Sequence, residues 1–451
     1  MYLRRKIDDQ LYRWLNTRGH SPALVVGVRQ CGKTESIRHF ATQYFENLVY
    51  VNFWTTPLAS DSFNGELDID EITKRLSLVN PDYVFVPGKT LVFLDEIQDC
   101  PRARLSLKNF KEDGRYEVIA SGSHIGINLD SDIGSSEPKP NGAEDIIRMY
   151  TMDFQEFLWA NSYRDEQIQE LKKYYDERSD IPDDVHMKMK SLFKEYMCIG
   201  GYPETVSLFI ENKNFGICFR KNESLIFDIK GDPSKRKTAE GKPMYTSYEV
   251  ARIQNAFDLV GSFAISDNSR FVLSRISGGN GLQKKDALNY LINSCTVFKA
   301  NNVTVPSLPL NLNKIEADFK LFYCDIGLLA TLCGFDTIRG IQNESLGTSK
   351  GFLYESVIAE TFYKNEIPVF YFGKNSGLEI DLVISYNGYP TLVEIKATNG
   401  NTKSSKTVMS HPEHYGQTKL IKIGDYSSVT ENDDMLTVPH YLSFLLRDED
   451  F

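Results

Sequence analysis

An apolar strand that runs directly into a glycine-bounded loop leaves few folds open to this chain. In ALVVGVRQCGKTESIRHF, residues 23–40, the loop has the form GxxxxGK[ST] from Gly27 to Thr34, and a helical pattern follows it. Its glycines let backbone N–H groups turn inward around phosphate oxygens, and the N-terminus of the next helix adds its positive end. The sequence therefore predicts a phosphate-binding P-loop shaped by Gly27 and Gly32.

The chemistry of this loop depends on the side chains beside it and on a second strand. Lys33 is expected to reach the β- and γ-phosphates of ATP, and Thr34 to bind Mg²⁺. The stretch KTLVFLDEIQD supplies an apolar strand that ends at Asp95, with Glu96 next. Asp95 would hold Mg²⁺ through water, and Glu96 would orient and polarise the water that attacks the γ-phosphate. The Asp-Glu pair predicts a hydrolase, because it places a base beside the metal.

Further apolar stretches, LVYVNF at 48–53 and VIA at 118–120, predict more strands of one parallel sheet. Ser123 follows the second of them, and ligands of open α/β sheets bind at the carboxyl ends of the strands. Ser123 is therefore expected to sense the γ-phosphate, with a simple turn as the alternative. The polar residues 126–147, rich in Gly, Ser and Pro, are expected to form a surface loop.

Composition limits the class of protein and its compartment. The 451 residues carry a net charge of -10, which argues against a generally basic, nucleic-acid-coating surface but leaves room for a local basic patch. The seven cysteines are scattered, with no CxxC pair or Cys/His cluster, which favours free thiols in a reducing cytoplasm. No apolar run approaches the roughly 18 residues that span a membrane, so a cytoplasmic protein with no membrane partner is expected.

The stretch EIDLVISYNGYPTLVEIKA, near the end of the chain, predicts a β-hairpin with charges on one face. The Asn-Gly pair at its centre, between apolar runs, is a strong signal for a two-residue turn. Counting outward from that turn, Asp381 faces Glu394 and Glu379 faces Lys396. Side chains alternate across a strand, so all four lie on one face and the apolar residues between them form a core face.

Two readings of this charged face are open. Carboxylates directly opposite each other destabilise a sheet unless a cation relieves them. Asp381 and Glu394 would then bind Mg²⁺, with water completing its shell. Alternatively the face is solvated and held by cross-strand ion pairs, including one between Glu379 and Lys396. The hairpin alone does not choose between the two.

Between these regions the sequence predicts helices and a second small hairpin. Asp153 and Glu156 have the spacing of a helix N-cap pair, and the charged residues 164–195 are expected to form helices packed on the nucleotide-binding core. Residues 248–305 show short helices, with an apolar stripe that ends at Cys295, and then two β segments. Three helices and a hairpin would make a winged helix, a module that binds DNA or joins domains.

The ordered set GVRQCGKT, LVFLDEIQ, SGS and TMDFQEFL resembles a prokaryotic AAA-like P-loop ATPase family related to the archaeal-type ATPases. Under that resemblance Arg29 matches the P-loop pattern and is expected to help bind the nucleotide. Arg148 is similar to a phosphate-sensing arginine, although Ile147 stands where relatives have glycine. AAA-like ATPases often form rings, so the resemblance also implies a homo-oligomer.

Later motifs, KLFYCDIGLLATL, GFLYESVIAETF and GLEIDLVI with TLVEIKA, resemble the family's companion C-terminal domain of unknown function. That domain is similar in fold to restriction-endonuclease-like nucleases. The resemblance implies that Asp381 and Glu394 bind a metal, with Glu355 as an additional acid. It also implies that Lys396 stabilises charge on the scissile phosphate or positions the attacking water.

Together these observations predict an α/β protein in three parts. The parts are an AAA-like P-loop ATPase domain at 1–210, a winged-helix-like module at 211–315 and a restriction-endonuclease-like α/β domain at 316–451. The leading hypothesis is an ATP-hydrolysing switch or motor that uses ATP and Mg²⁺ and acts on DNA. The alternative is a nucleotide-dependent regulatory or scaffolding protein that binds a protein partner, with a catalytically inactive nuclease-like domain.

Overall fold

The structure is a computed structural model that describes residues 2–123, 142–236, 242–266, 269–374, 376–397 and 403–447. It divides the chain into two compact units, one of Met1–Thr151 with Asn293–Cys295 and the other of Met152–Ile292 with Thr296–Phe451. All seven cysteines are free thiols, which agrees with the sequence prediction. None of the helices in the described ranges is long and apolar enough to cross a membrane.

The first unit is built on a parallel sheet. Its strands are β1 (Ala23–Gly27), β2 (Asn47–Asn52), β3 (Thr90–Asp95), β4 (Glu117–Ser123) and β5 (Asp145–Met149). They lie in the order β2–β3–β4–β1–β5, and neighbouring strands pair in parallel. The predicted parallel α/β sheet is therefore confirmed, and the carboxyl ends of its strands meet at one edge.

Helices cover both faces of this sheet. They are α1 (Lys6–Asn16), α2 (Lys33–Tyr44), α3 (Ile69–Val79) and α4 (Pro101–Asp113). One hydrophobic core joins alternate strand residues, such as Val49 and Val92, to helices α3 and α4. Since successive side chains of a strand point to opposite faces, Tyr50 and Asp95 point to the other face, where α2 contacts the sheet.

The predicted surface loop at 126–147 is corrected at its end. Residues 126–141 lie outside the described residues. The prediction is wrong for residues 145–147, because Asp145–Met149 form strand β5 at the edge of the sheet. Ile147 pairs with Val25 of β1. The polar residues before this strand concealed it, since an edge strand needs only a short alternating pattern.

The second unit begins with helices, the first of which starts where the sequence predicts. Asp153 caps it and forms a capping box with Glu156, so that prediction is confirmed. The first group of helices is α5 (Phe154–Ala160), α6 (Asp165–Asp176), α7 (Asp183–Ile199), α8 (Pro203–Asn212), α9 (Phe215–Lys235), α10 (Ser247–Ile265) and α11 (Gly281–Asn293). The later helices are α12 (Ile326–Leu332), α13 (Phe335–Gln342), α14 (Gly351–Lys364), α15 (Lys403–Met409) and α16 (Pro412–Tyr415).

A mixed eight-stranded sheet organises the rest of the second unit. Its strands are β6 (Val297–Val303), β7 (Lys314–Tyr323), β8 (Phe370–Gly373), β9 (Glu379–Tyr386), β10 (Tyr389–Ile395), β11 (Lys419–Gly424), β12 (Thr430–Asn432) and β13 (Met435–Pro439). Their spatial order is β12–β13–β11–β10–β9–β8–β6–β7. Short 3₁₀ helices occur at Pro57–Phe63, Ile97–Asp99, Leu273–Arg275, Leu310–Leu312, Gly347–Lys350 and His440–Leu445.

The division into units differs from the boundaries expected at 210 and 315. The long segment of the first unit ends at Thr151, and the helices that follow are grouped with the second unit, where α7 contacts α12. The charged segment 164–195 is helical as predicted, but it belongs to that second unit. The expected boundary at 315 falls inside β7, and β6 pairs with both β7 and β8 in one sheet.

The helices and hairpin expected of a winged helix occur in the expected order, but the hairpin is not a separate wing. Strands β6 and β7 follow α10 and α11 and form the end of the large mixed sheet. Cys295 lies beyond the end of α11 with a φ of 55°, so the predicted stripe is wrong at that residue. A winged-helix module therefore stays a prediction.

The glycine pair at 200–201 lies inside the second unit. Asp325 caps α12 by accepting from the N–H of Gly327 at 2.9 Å, and its other oxygen accepts from the N–H of Gly201 at 2.8 Å. A Cβ on Gly200 would lie 2.0 Å from Asp325 Oδ1. The glycines allow two backbone segments to approach closely around one buried carboxylate.

Candidate active site

The P-loop lies between the end of β1 and the start of α2, as the motif requires. Gly32 has a φ of 99°, in the left-handed region that favours glycine. A Cβ on Gly27 would lie 2.0 Å from the carbonyl oxygen of Met149 on the neighbouring β5. Both glycines are therefore required by the backbone, one by its conformation and the other by close approach.

Lys33 and the first turn of α2 make the loop positive. The Lys33 ammonium is buried and donates to the carbonyl oxygens of Gly27 at 3.1 Å and Val28 at 3.0 Å. The first amides of a helix lack intrahelical acceptors, and Gly32 offers no side chain to cap them. A polyphosphate would satisfy these amides and replace the two carbonyls as the partner of Lys33.

Asp95 and Thr34 come together at the carboxyl edge of the sheet. Asp95 ends β3, is 2% exposed, and accepts from Thr34 Oγ1 at 3.0 Å through its Oδ2. Its Oδ1 accepts from the N–H of Glu96 at 3.1 Å. Hydroxyl, carboxylate and water oxygens are the ligands that Mg²⁺ prefers. The donor set fits Mg²⁺, which Thr34 would bind directly and Asp95 would hold through water.

Three further side chains surround Asp95 that the motifs do not reveal. The Tyr50 hydroxyl at 2.9 Å and Asn52 Nδ2 at 3.1 Å also donate to Oδ2. The Ser121 hydroxyl donates to Oδ1. Burial, with the Asp95 carboxylate adding to it, raises the pKa of Tyr50 to about 12, so its phenol is a donor at neutral pH. In the sequence, Tyr50 and Asn52 could have been recognised as the polar residues that alternate with valines near the end of a predicted strand.

Glu96 adopts a backbone conformation that few residues of its type adopt. Its φ is 53°, in the left-handed region, and a 3₁₀ turn follows it. Its Oε2 accepts from Gln98 Nε2 at 2.5 Å. Such an outlier costs about 1–3 kcal/mol and persists only where the surrounding structure fixes it. Its position beside Asp95 supports a functional role for the Glu96 carboxylate.

The remaining predicted residues of this site lie on the P-loop and on adjoining strands. Arg29 is half-buried in the loop. Arg148 is exposed on β5, opposite Val26 of β1. Ser123 ends β4 opposite Gly27, but its side chain lies outside the described part of the structure. The roles of these three residues stay predictions.

Arg5 supports the loop from outside, and no motif points to it. Its buried guanidinium donates to the carbonyl oxygens of Cys31 at 2.6 Å and Tyr150 at 2.7 Å. The first contact fixes a peptide of the P-loop, and the second fixes the chain just after β5. Arg5 therefore stabilises the loop conformation through these two backbone contacts.

The second unit contains the hairpin with the expected register. Strands β9 and β10 are antiparallel, with Leu382 opposite Val393. The turn residues Asn387 and Gly388 have φ values of 48° and 75°. These left-handed values are those of the two-residue turn that suits the twist of a hairpin. The hairpin prediction is confirmed.

Asp381, Glu394 and Lys396 lie together on one face of this hairpin. Lys396 Nζ is 2.7 Å from Glu394 Oε2 and 3.7 Å from Asp381 Oδ2. Burial, followed by the charge of Asp381, raises the pKa of Glu394, and Lys396 opposes that shift. Burial disfavours the charged form of Lys396, but the two carboxylates outweigh burial and raise its pKa.

The ion pair expected between Glu379 and Lys396 is wrong. Instead, Glu379 Oε1 lies 3.0 Å from the Nζ of Lys320, a residue of strand β7. The same ammonium is 2.9 Å from Glu355 Oε1. Lys396 follows the last residue of β10 and turns to Glu394 instead. Sequence reasoning missed Lys320 because β7 is distant along the chain and nothing local marks it.

The second cluster offers two carboxylates, Asp381 and Glu394, to a metal ion. Within the ranges that the structure describes, no group of three or more His, Cys, Asp or Glu side chains is placed to hold a metal ion. Asp381 and Glu394 alone would leave water to complete the shell of a divalent cation. Their assignment as metal ligands stays a prediction, as does catalysis by Lys396.

Three segments of the chain match known families. Residues 19–158 match the AAA domain family. The first unit carries an AAA-type P-loop domain. Residues 350–441 match a domain of unknown function (DUF4143), and residues 190–339 match another (DUF8612). No curated protein matches the chain.

Similar solved structures are remote from this chain. The Orc1 protein of Aeropyrum pernix in complex with DNA is 11% identical over 74% of this chain and 92% of that chain, with a TM-score of 0.24. AMPPCP-bound DnaA of Aquifex aeolicus is 13% identical over 64% and 89%, with a TM-score of 0.28. A Vibrio cholerae protein is 9% identical over 94% and 96%, with a TM-score of 0.17. TM-scores this low carry no argument about this chain.

Proposed function

We propose that the first unit binds ATP together with Mg²⁺ and hydrolyses its γ-phosphate bond. The observation that carries the proposal is the hydrogen bond between Thr34 and Asp95 at 3.0 Å, which joins the P-loop to the acidic end of β3. Bound Mg²⁺ would neutralise charge on the phosphate oxygens. The AAA domain match over residues 19–158 supports the same chemistry.

Each residue of the site has a distinct task under this proposal. Lys33 leaves its two carbonyl partners and donates to the β- and γ-phosphates. Thr34 would contribute its hydroxyl oxygen to the metal, and Asp95 would hold the metal through water. Glu96 accepts a hydrogen bond from the attacking water and takes its proton as the bond to phosphorus forms. The phosphate leaves with the oxygen of that water, and ADP keeps the bridging oxygen.

Two variants of this site should separate binding from chemistry. Lys33→Ala removes the ammonium that contacts the phosphates, so nucleotide binding measured by calorimetry should be lost. Glu96→Gln keeps the size of the side chain but not the base, so ATP should still bind while turnover falls about 10²–10⁴-fold. The exposed Lys108→Ala serves as a control, because that lysine is 64% exposed on α4. Equal turnover in the wild type and Glu96→Gln would contradict the mechanism.

A second candidate function, binding and cleavage of nucleic acid by the second unit, rests on the cluster of Asp381, Glu394 and Lys396. The elements from α14 through β8, β9, β10 and α15 to β11 have the order expected of a restriction-endonuclease-like core, as the sequence resemblance implies. Ser405 of α15 hydrogen-bonds to the Glu394 carboxylate, which places that helix next to the cluster.

Exposed lysines occur on or next to elements that adjoin the hairpin, and they favour a polyanionic ligand. Lys403 and Lys406 are exposed on α15. Lys374, exposed after β8, donates to the Tyr415 hydroxyl at 3.3 Å and lies 4.6 Å from the centre of that ring. Lysines interleaved with an aromatic side chain suit a phosphodiester backbone with unstacked bases. The alternative is that the cluster is structural and that this unit binds a protein partner.

A further inference from the structure

We infer that Tyr50 is a positioning residue of the Mg²⁺–nucleotide site and keeps the Asp95 carboxylate aimed at the metal-bound water. The inference rests on the proposed ATP hydrolysis, because it concerns the same carboxylate. The P-loop motif and the acidic strand end assign no role to Tyr50. Its strand, β2, is the neighbour of β3 in the sheet, and their register places Asn52 beside Asp95.

The hydroxyl and the ring of Tyr50 have separate surroundings. The hydroxyl donates to Asp95 Oδ2 at 2.9 Å and accepts from Asn52 Nδ2 at 3.2 Å. The ring centre is 5.1 Å from that of Phe93 and 4.9 Å from the guanidinium carbon of Arg38. Removing the hydroxyl alone therefore leaves the packing of the ring in place.

Asn52 fixes the direction of this hydrogen-bond chain. Its Oδ1 accepts from the backbone N–H of Thr55 at 2.9 Å and from the Thr55 hydroxyl at 3.2 Å. Its amide nitrogen is thereby oriented to donate, and it reaches Asp95 Oδ2 at 3.1 Å as well as the Tyr50 hydroxyl. Tyr50 accepts from Asn52, so its single proton goes to Asp95.

A metal-bound water would change the balance of donors around Asp95 Oδ2. That oxygen already accepts hydrogen bonds from Thr34, Tyr50 and Asn52. Three is more than its two lone pairs can accept with good geometry. Asn52 is the donor best placed to yield, because the Tyr50 hydroxyl is a second acceptor within its reach. Tyr50 then holds the carboxylate while the water takes the vacated position. Removing such a partner of a metal-site carboxylate typically costs 10–100-fold in metal affinity.

The test is the Mg²⁺ dependence of nucleotide binding by the full chain. Calorimetry would measure AMPPCP binding across a series of Mg²⁺ concentrations and in EDTA, for the wild type and for Tyr50→Phe. We expect Tyr50→Phe to need about tenfold more Mg²⁺ for half-saturation, with unchanged affinity in EDTA. Tyr116→Phe, on the same unit, is the matched control and should behave as the wild type.

The outcomes distinguish this inference from the function on which it rests. Wild-type protein that shows no Mg²⁺-dependent AMPPCP binding would overturn the proposed ATP site itself. Normal wild-type binding with an unshifted Mg²⁺ requirement in Tyr50→Phe would overturn only the role of Tyr50. Turnover adds a second readout, because a positioning role predicts that excess Mg²⁺ restores kcat in Tyr50→Phe. Loss of kcat at every Mg²⁺ concentration would also contradict it.

Discussion

At Gly27 a single methyl group would prevent the P-loop from keeping its present backbone. The added Cβ would lie 2.0 Å from the Met149 carbonyl oxygen and 3.3 Å from Cys31 Sγ. Neither strand can move away easily, because Gly27 and Met149 are paired in register between β1 and β5. The nearest obstacle is the Met149 backbone, which cannot yield as the end of a flexible side chain would.

Gly27→Ala should therefore lower the free energy of unfolding of the first unit by about 2–3 kcal/mol, the range of overpacking in tight sites. Gly88→Ala is the comparison, because Gly88 has a φ of 71° with open space around it. That variant should cost only about 1 kcal/mol, from the left-handed backbone alone. Chemical denaturation measures both, and equal losses would show that the contact with Met149 is not limiting.

Residues in contiguous motifs could be predicted from the sequence, whereas their partners on other strands could not. The spacing of Lys33 and Thr34 from the glycines is local, and so is the adjacency of Asp95 and Glu96. Tyr50 and Asn52 reach Asp95 only because β2 and β3 pair in one register. A sequence shows that β2 exists, but register between strands some 40 residues apart depends on the packed sheet.

At the scale of elements, the β9–β10 hairpin was predictable because its turn and its alternation lie within one short stretch. The partner of Glu379 was not, because Lys320 reaches the hairpin from β7. Lys320 has a side chain that is 3% exposed and joins Glu355 of α14 to Glu379 of β9. Burial disfavours its charge, yet the neighbouring carboxylates raise its pKa. One ammonium thus balances two carboxylates from different elements.

Lys320→Met should destabilise the second unit by about 3–5 kcal/mol, because it leaves two carboxylates facing each other without their cation. Burial already raises the pKa of Glu355. Loss of Lys320 raises that pKa further. The loss in free energy of unfolding should therefore grow as pH rises above the ordinary pKa of a glutamate, and shrink as pH falls. Urea denaturation at pH 5 and pH 7.5 measures this dependence.

The triple variant Lys320→Met, Glu355→Gln, Glu379→Gln removes the uncompensated charges and should recover part of the stability lost by Lys320→Met. Lys172→Met, at a lysine that is 50% exposed on α6, should have little effect at either pH. A loss in Lys320→Met that is the same at both pH values would show that packing, and not charge, is what Lys320 contributes.

For the whole molecule, the net charge of -10 works against a polyanionic partner except where positive residues are concentrated. The exposed lysines of α15 and the one after β8 are the candidates for such a place, so nucleic-acid binding should be confined to that surface. The sequence indicated the acidic balance, but it did not show which lysines share a surface. Lys374 and Lys406 are 32 positions apart in the chain. The elements next to them, β8 and α15, both adjoin β9.

Binding of a fluorescent single-stranded oligonucleotide across a salt series, with and without Mn²⁺, tests this surface. Three phosphate contacts predict a slope of log K against log salt of about -2, since single strands give about -0.7 for each contact. Replacing Lys374, Lys403 and Lys406 by Ala should remove most of that slope, whereas the same change at the exposed Lys172, Lys173 and Lys188 should not. Glu394→Gln should keep binding and lose any Mn²⁺-dependent cleavage. If the wild type neither binds nor cuts, the charged hairpin face is structural, and the proposed ATPase would instead act on a protein partner.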